Sequence, residues 1–355
     1  MSAPFGVYVH IPFCAQRCDY CAFATWTDRG HLVEAYVDAL VADVRRAVAA
    51  GMPVATSVFV GGGTPSLIDG ELLGRVLDEV PRVEGAETTV ECNPDTVTAE
   101  LLDAYLAHAV NRVSLGVQSM VPSVLASLGR THDPDNVARA VGLVRAAGLP
   151  TFNLDLIYGA AGETVDDWAA TLDSALALDP PHVSAYGLTV EPGTPLADAP
   201  DRHPDDDDQA DKYERADDAL EAAGLANYEI SNWARAGHEC RHNLLYWAQG
   251  DYRGFGSAAH SHESGRRWWN VRTPERYIAA VAAGESTEAA GESLDGPTRT
   301  FERLELALRT SGGVPAGALD TAELDGLVAS VGDRVVLTRA GRLVANEIAL
   351  RLRTG

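Results

Sequence analysis

The sequence predicts an α/β fold: six strand–helix steps building a parallel sheet, followed by a small α+β domain. Three observations predict it. Over roughly the first 190 residues, short apolar runs of strand length alternate with segments whose apolar residues recur at helical spacing. The runs read as continuously apolar, as in a sheet covered on both faces, and a polar residue closes several of them. After about Ile230 the pattern gives way to amphipathic helices with one short strand. A partial (β/α)6 barrel and a doubly wound sheet both satisfy this pattern. The expected division is a core over residues 1–232 and a C-terminal domain over 233–355.

Taken in order, GVYVHIP is the first strand, and His31 to Ala50 form a helix that GMP stops. TSVFVGGG precedes a helix from about Gly70, ETTVECN one from Thr98, NRVSLGVQ one from Val121 and TFNLDLIYG one from Val165; HVSAYGLTV closes the series. In such a sheet the C-terminal ends of the strands share one mouth. The first strand leads into Cys14, Cys18 and Cys21, the second into Gly61–Pro65, the third ends at Glu91, the fourth at Gln118, and the fifth carries Asp155. The acidic run from Asp201 to Asp218 reads as a surface loop feeding a helix N-terminus, where carboxylates complement the dipole. TPERYIAAVAAG, RTFERLELALRT, TAELDGLVASV and RAGRLVANEIALRLR read as helices with DRVVLT as a strand, a winged-helix-like order. That segment has no basic recognition face, so a lid or docking role over the mouth is expected instead of DNA binding.

The 355 residues, 46% hydrophobic, suffice for one large and one small domain, and a net charge of -23 argues against a nucleic-acid partner. No charged-then-apolar leader precedes Pro4, and no apolar run approaches the roughly 20 residues that span a bilayer. A cytoplasmic chain with reduced thiols is expected, with at most transient visits to a membrane. Three of its five cysteines lie within Cys14–Cys21, separated by three and then two residues. A structural zinc site usually joins two ligand pairs, and a disulfide framework needs an even count. Three thiolates so spaced can each hold one iron of a 4Fe-4S cubane, leaving the fourth iron open to a substrate. The glycines of the second loop leave main-chain groups uncovered for a small charged ligand. Carboxylates at strand ends need partners, which a ligand ammonium and ribose hydroxyls would supply, and the Arg130 guanidinium matches a ligand carboxylate.

The stretches YVHIPFC, CDYC, GGGTPS, ECNPD, SLGVQS, LGRTH and NLDLIYG, in this order, resemble the radical SAM superfamily and, within it, the oxygen-independent coproporphyrinogen III oxidase group. The resemblance implies a radical SAM barrel in which Cys14, Cys18 and Cys21 hold the 4Fe-4S cluster. It also implies that S-adenosylmethionine is contacted by Tyr8, Tyr20, Gly62, Gly63, Thr64, Glu91, Gln118, Arg130 and Asp155. The oxidases carry a further cysteine two positions after the third cluster ligand, where this chain has Phe23, and a longer stretch before the cluster motif. CRHNLLYW, Cys240 to Trp247, matches instead the His-Asn-x-x-Tyr-Trp signature of the haem-chaperone branch, HemW. The resemblance to that branch implies haem as cargo, apo-haemoproteins such as respiratory-chain components as recipients, and an electron donor for the cluster; a homodimer is left open, and no catalytic residue is assigned. Imidazole is a common axial ligand of haem iron, which makes His242 the candidate ligand, with Tyr246 and Trp247 packing on the porphyrin. A hydrogen-bonded core histidine is the competing reading, and Cys240 is either an alternative ligand or a buried thiol.

Other residues carry two readings each. Cys92, one after Glu91, should face away from the mouth as a packing thiol. His10 either lies behind the cluster or is a satisfied strand histidine. His260 and His262, on a loop before RRWWN, suggest either a metal or a surface and packing role, and Trp268 and Trp269 a seam between domains. Three functions therefore stand: the haem carrier, the coproporphyrinogen oxidase that decarboxylates propionates, and a redox-inert protein whose three thiols hold zinc with His10.

Overall fold

The inner and outer faces of the sheet carry opposite chemistry. Residues 3–353 are described in a computed structural model of the chain. Strands β1 (Phe5–Ile11), β2 (Ala55–Gly62), β3 (Arg82–Cys92), β4 (Arg112–Gln118), β5 (Thr151–Tyr158) and β6 (His182–Gly187) lie parallel in the order 1-2-3-4-5-6. A doubly wound sheet reverses its strand order at a switch point. This one does not, so the partial barrel is the fold. Helices α1 (Val33–Ala49), α2 (Gly70–Glu79), α3 (Ala99–Ala107), α4 (Pro122–Ser127), α5 (Asp135–Ala146), α6 (Val165–Ala177) and α7 (Asp206–Ala222) carry the returns. The outer face is apolar but for Thr88: Val7, Val9, Val58, Val60, Val90, Val113, Leu115, Leu154 and Leu156 are all 0% exposed. Each fully buried side chain of this size contributes about 1.5–3 kcal/mol.

The inner face differs from the continuously apolar strands expected. Residues in register there include Tyr8 with Phe59, Thr89 with Arg112, Glu91 with Ser114, and Ser114 with Asn153. Strand alternation thus sends apolar residues to the helices and polar ones into the barrel.

The sheet runs past residue 232 on both edges. Outside β6 lie β8 (Asn232–Ala234) and then β7 (Ala226–Glu229), both reached through α7. Helix α8 (Arg241–Trp247) passes beneath the strands, and β9 (Asp251–Phe255) pairs in parallel with β1. Strands β10 (His260–Glu263), β11 (Arg266–Asn270) and β12 (Glu288–Ser293) continue that edge antiparallel, with α9 (Pro274–Ala282) against α1. His260 and His262, expected on a loop, therefore sit on a strand; the turn at Ser264–Gly265, both with positive φ, folds β10 onto β11.

The chain leaves the sheet after Ser293. Helix α10 (Gly296–Leu308), strands β13 (Val314–Pro315), β14 (Val328–Val331) and β15 (Arg334–Leu337), and helices α11 (Arg339–Leu343) and α12 (Ala345–Ala349) enclose a separate core of Leu308, Val314, Leu319, Leu324, Val335 and Ile348. The helix expected over TAELDGLVASV is a set of turns followed by β14, because Glu323 and Gly326 both take positive φ. The last expected helix is broken at Val344, whose φ of -120° is not helical. This small domain meets the sheet at Arg267 with Glu302, at the Ile230–Arg309 main-chain bond, and at Asp217 on α7. These contacts lie on the edges and toward the floor, so the segment does not form the expected lid over the mouth.

Asp217 fastens the two parts together. Its carboxylate accepts from Trp233 Nε1 at 2.7 Å and Arg342 at 2.8 Å, and from Arg339. Burial pulls its pKa up, but these donors outweigh burial and leave it below the ordinary value. Asp217→Ala should lose about 2–4 kcal/mol in denaturant unfolding, because it strands a buried indole N–H beside unpaired guanidinium groups. The wild-type advantage should be complete above the unfolded aspartate pKa of about 3.9 and fade as pH falls through the lower folded value.

Candidate functional site

Two main-chain bonds fix the mouth. Gly63 N donates to Ile11 O at 2.7 Å and Thr64 N to Phe13 O at 2.8 Å, tying the glycine loop after β2 to the cysteine loop after β1. No side chain fits in this seam: a Cβ at Gly63 would lie 2.6 Å from Phe13 O, and one at Gly62, where φ is +110°, 2.4 Å from the His10 ring. The cysteine loop is closed by Trp26 N to Pro12 O at 2.8 Å and Cys14 N to Trp26 O at 3.1 Å.

Cys14, Cys18 and Cys21 are free and half-buried on this loop. Burial pushes the Cys14 and Cys21 thiols above their ordinary value; nearby Cys18 adds to both, and Cys14 adds to Cys21. As thiolates the three would repel one another, a situation that bound cationic iron reverses. Thr64 Oγ1 lies 3.7 Å from Cys14 Sγ, and Arg130 Nη1 lies 3.7 Å from Cys18 Sγ. Among the described residues no group of three or more Cys, His, Asp or Glu side chains converges to hold a single metal ion. A cubane asks each thiolate for an iron of its own, so the donor set fits that group. His10 is not a fourth ligand as it stands, since Nδ1 bonds Tyr8 OH at 3.1 Å and Nε2 bonds Ala24 O at 3.0 Å.

The remaining mouth residues form an arc. Glu91 Oε2 accepts from Gly62 N at 3.1 Å, and a Cβ at Gly61 would lie 2.9 Å from that carboxylate. Burial and then the Asp155 charge push Glu91 up to about 7. Asp155, also raised by burial, accepts from Ser114 Oγ and Asn153 Nδ2, each at 2.7 Å. Gln118 takes φ 64° at the end of β4, and Arg130 Nη2 donates to Gly116 O at 2.8 Å. Tyr20 sits beside Cys18, and burial raises its phenol strongly. The structure thus brings together Tyr8, Tyr20, Gly62, Gly63, Thr64, Glu91, Gln118, Arg130 and Asp155 around the three cysteines. Cys92 faces away and is buried, as alternation required.

The second group lies at the floor. His242 is 0% exposed, with Nδ1 at 2.9 Å from Ser57 Oγ and Nε2 at 2.8 Å from Tyr246 OH. Ser57 is five residues before Gly62 on β2, about 16 Å at the rise of a strand. His242 is therefore no open axial ligand: both nitrogens are engaged, burial lowers its pKa to about 3, and an iron would first have to displace Ser57 or Tyr246. The cause is the close seating of α8. Glu87 on β3 accepts from the main-chain N–H of Arg241 and His242, both at 3.0 Å, and Gly6 leaves room for Leu245 and His242 against β1. Cys240 is buried with its thiol 3.5 Å from Glu87, and Trp247 helps hold Glu229. Sequence reasoning missed the inner layer beneath Asp155, in which Asn153 Nδ2 donates to Ser114 at 2.7 Å and Ser184 at 3.0 Å. Its signal was the Asn-x-Asp alternation within NLDLIYG.

Residues 8–175 match the radical SAM superfamily. Over 98% of its length the chain is 43% identical to the heme chaperone HemW of Mycobacterium tuberculosis, covering 95% of that protein. The chain belongs to the HemW family. HemW of Escherichia coli is 36% identical and that of Bacillus subtilis 33%, each alignment covering 97% of both chains. In fold it is similar to coproporphyrinogen III oxidase (HemN) from Escherichia coli, with TM-score 0.85 and 22% identity over 98% of this chain and 89% of that one. The HNLLYW stretch builds the barrel floor as helix α8.

Gly62→Ala should move the His10 ring and strain the loop. Reconstitution of the cluster should fall severalfold with the far-ultraviolet dichroism intact.

Proposed function

We propose that this protein is a haem chaperone that carries a 4Fe-4S cluster and S-adenosylmethionine at the barrel mouth and passes haem to apo-haemoproteins. The observation that carries the reading is the full-length likeness to curated HemW haem chaperones, at 43% identity over 98% of the chain. The mouth supports it. Cys14, Cys18 and Cys21 would hold the cluster, and bound together the cluster and S-adenosylmethionine supply one-electron reducing chemistry. Gly62 and Gly63 would offer bare main chain, Glu91 and Asp155 would take ligand donor groups, and Arg130 a carboxylate. Tyr8, Tyr20, Thr64 and Gln118 would line the rest. Phe23, where the oxidases carry a cysteine, is 64% exposed and presents an apolar surface beside the cluster loop. Free thiols at all five cysteines suit a cytoplasmic carrier supplied by a reducing electron donor, and no helix among the described residues is long and apolar enough to cross a membrane.

Haem-loaded protein mixed with an apo-haemoprotein tests the reading. The Soret band should shift to that of the recipient; absence of transfer to every recipient tried would overturn it. Cys18→Ser should lose the cluster's visible absorbance and leave haem titration intact. Glu91 is protonated below about 7 and a carboxylate above it, and a ligand ammonium or hydroxyl prefers the carboxylate. Binding of S-adenosylmethionine measured by calorimetry should therefore tighten from about pH 6 to 8, and Glu91→Gln should flatten the profile.

A further inference from the structure

We infer that the haem cargo is ligated by His260, on the inner face of β10, and not by the His242 of the HNLLYW stretch. The inference rests on the reading of the protein as a haem carrier. With His242 engaged on both nitrogens, an iron needs an imidazole that the fold leaves open.

His260 has that character. It is exposed, and no hydrogen bond from the described residues holds its ring, which stacks on Trp269 with centroids 5.6 Å apart and planes 26° from parallel. Register fixes where it points. A Cβ at Gly6 would lie 3.2 Å from Tyr252 Cβ and 3.0 Å from His242, so Tyr252 faces the barrel interior. His262 pairs with Tyr252, and His260, two residues earlier on the strand, shares that face. Because β10 runs antiparallel to β9 and β9 parallel to β1, His260 lies nearer the mouth end of the sheet than the His262–Tyr252 pair.

A second observation points to a guest on the same face. His262 Nε2 is buried without a partner, while its Nδ1 bonds Gly250 O at 3.0 Å. Buried polar atoms are rarely left unpaired, so His262 Nε2 is free to take a hydrogen-bond partner from outside the chain. The neighbouring groups suit haem. Trp269 offers a flat aromatic surface beside the ligand. Arg267, cross-strand from His262, places a guanidinium on this face, although Glu292 and Glu302 now share it at 2.9 and 3.1 Å. A propionate would compete for it as a carboxylate of the same kind. Trp269 shields one side of the otherwise exposed His260 ring, and this partial desolvation and then Arg267 lower its pKa, which favours the neutral imidazole that binds iron.

The test is haem titration of the full-length protein, wild type against His260→Ala, His260→Cys and His242→Gln, followed by Soret absorbance and magnetic circular dichroism. Wild type should bind haem with a histidine-ligated spectrum. His260→Ala should weaken binding by at least about tenfold, with the histidine spectrum restored by added imidazole. His260→Cys should move the band to that of thiolate-ligated haem, a change of ligand that mere loss of fold would not produce. A wild-type spectrum and affinity in His260→Ala would overturn the inference while leaving the carrier intact, as would loss of the histidine signature in His242→Gln alone. Wild-type protein that binds no haem would overturn the carrier reading and this inference with it.

Discussion

The parallel register of β1–β6 sends polar side chains into the barrel, where each costs several kcal/mol unless something bonds it. At the floor the protein supplies those bonds. Glu87 takes the N–H groups of α8, Ser57 and Tyr246 take both nitrogens of His242, and Asn153 links Ser114, Asp155 and Ser184. Toward the mouth such bonds thin out: Glu91 has one main-chain donor at 3.1 Å, and burial and Asp155 both raise its pKa. At the floor the polar groups bond largely to one another, whereas Glu91 at the mouth keeps a single main-chain donor and so can take a ligand.

The seam between the glycine and cysteine loops turns this gradient into a site. Because Gly63 and Thr64 are bonded to Ile11 and Phe13, the cysteine loop cannot move independently of β2. Three thiols are thus held at the edge of the arc that contains Glu91, Asp155 and Arg130. The small domain leaves this end uncovered, since Asp217 and the Arg267–Glu302 pair draw it to the edges and floor.

Much of the mouth was legible in the sequence, because strand ends and glycine runs are local signals and alternation assigns them a face. Glu91 pointing inward and Cys92 outward follow from neighbouring positions alone. The floor was not legible. That His242 lies under β1 depends on Gly6, Ser57 and Glu87, residues far away in the chain whose meeting with α8 no local pattern announces. The edge strands β9–β12 were missed for a similar reason: DYRGF, HSHE and RRWWN are short and mixed, and only pairing outward from β1, strand by strand, makes them strands. The helix expected at TAELDGLVASV failed at Glu323 and Gly326, where positive φ breaks a pattern that periodicity alone supports.

The fold is shared with HemN, so architecture alone does not separate carrier from oxidase. The most direct measurement incubates anaerobic, cluster-reconstituted protein with S-adenosylmethionine and a reductant, in parallel with haem and with coproporphyrinogen, and reads the products by absorbance and chromatography. The account predicts a haem complex in the first and unchanged coproporphyrinogen in the second. Decarboxylated porphyrinogen in the second would contradict it.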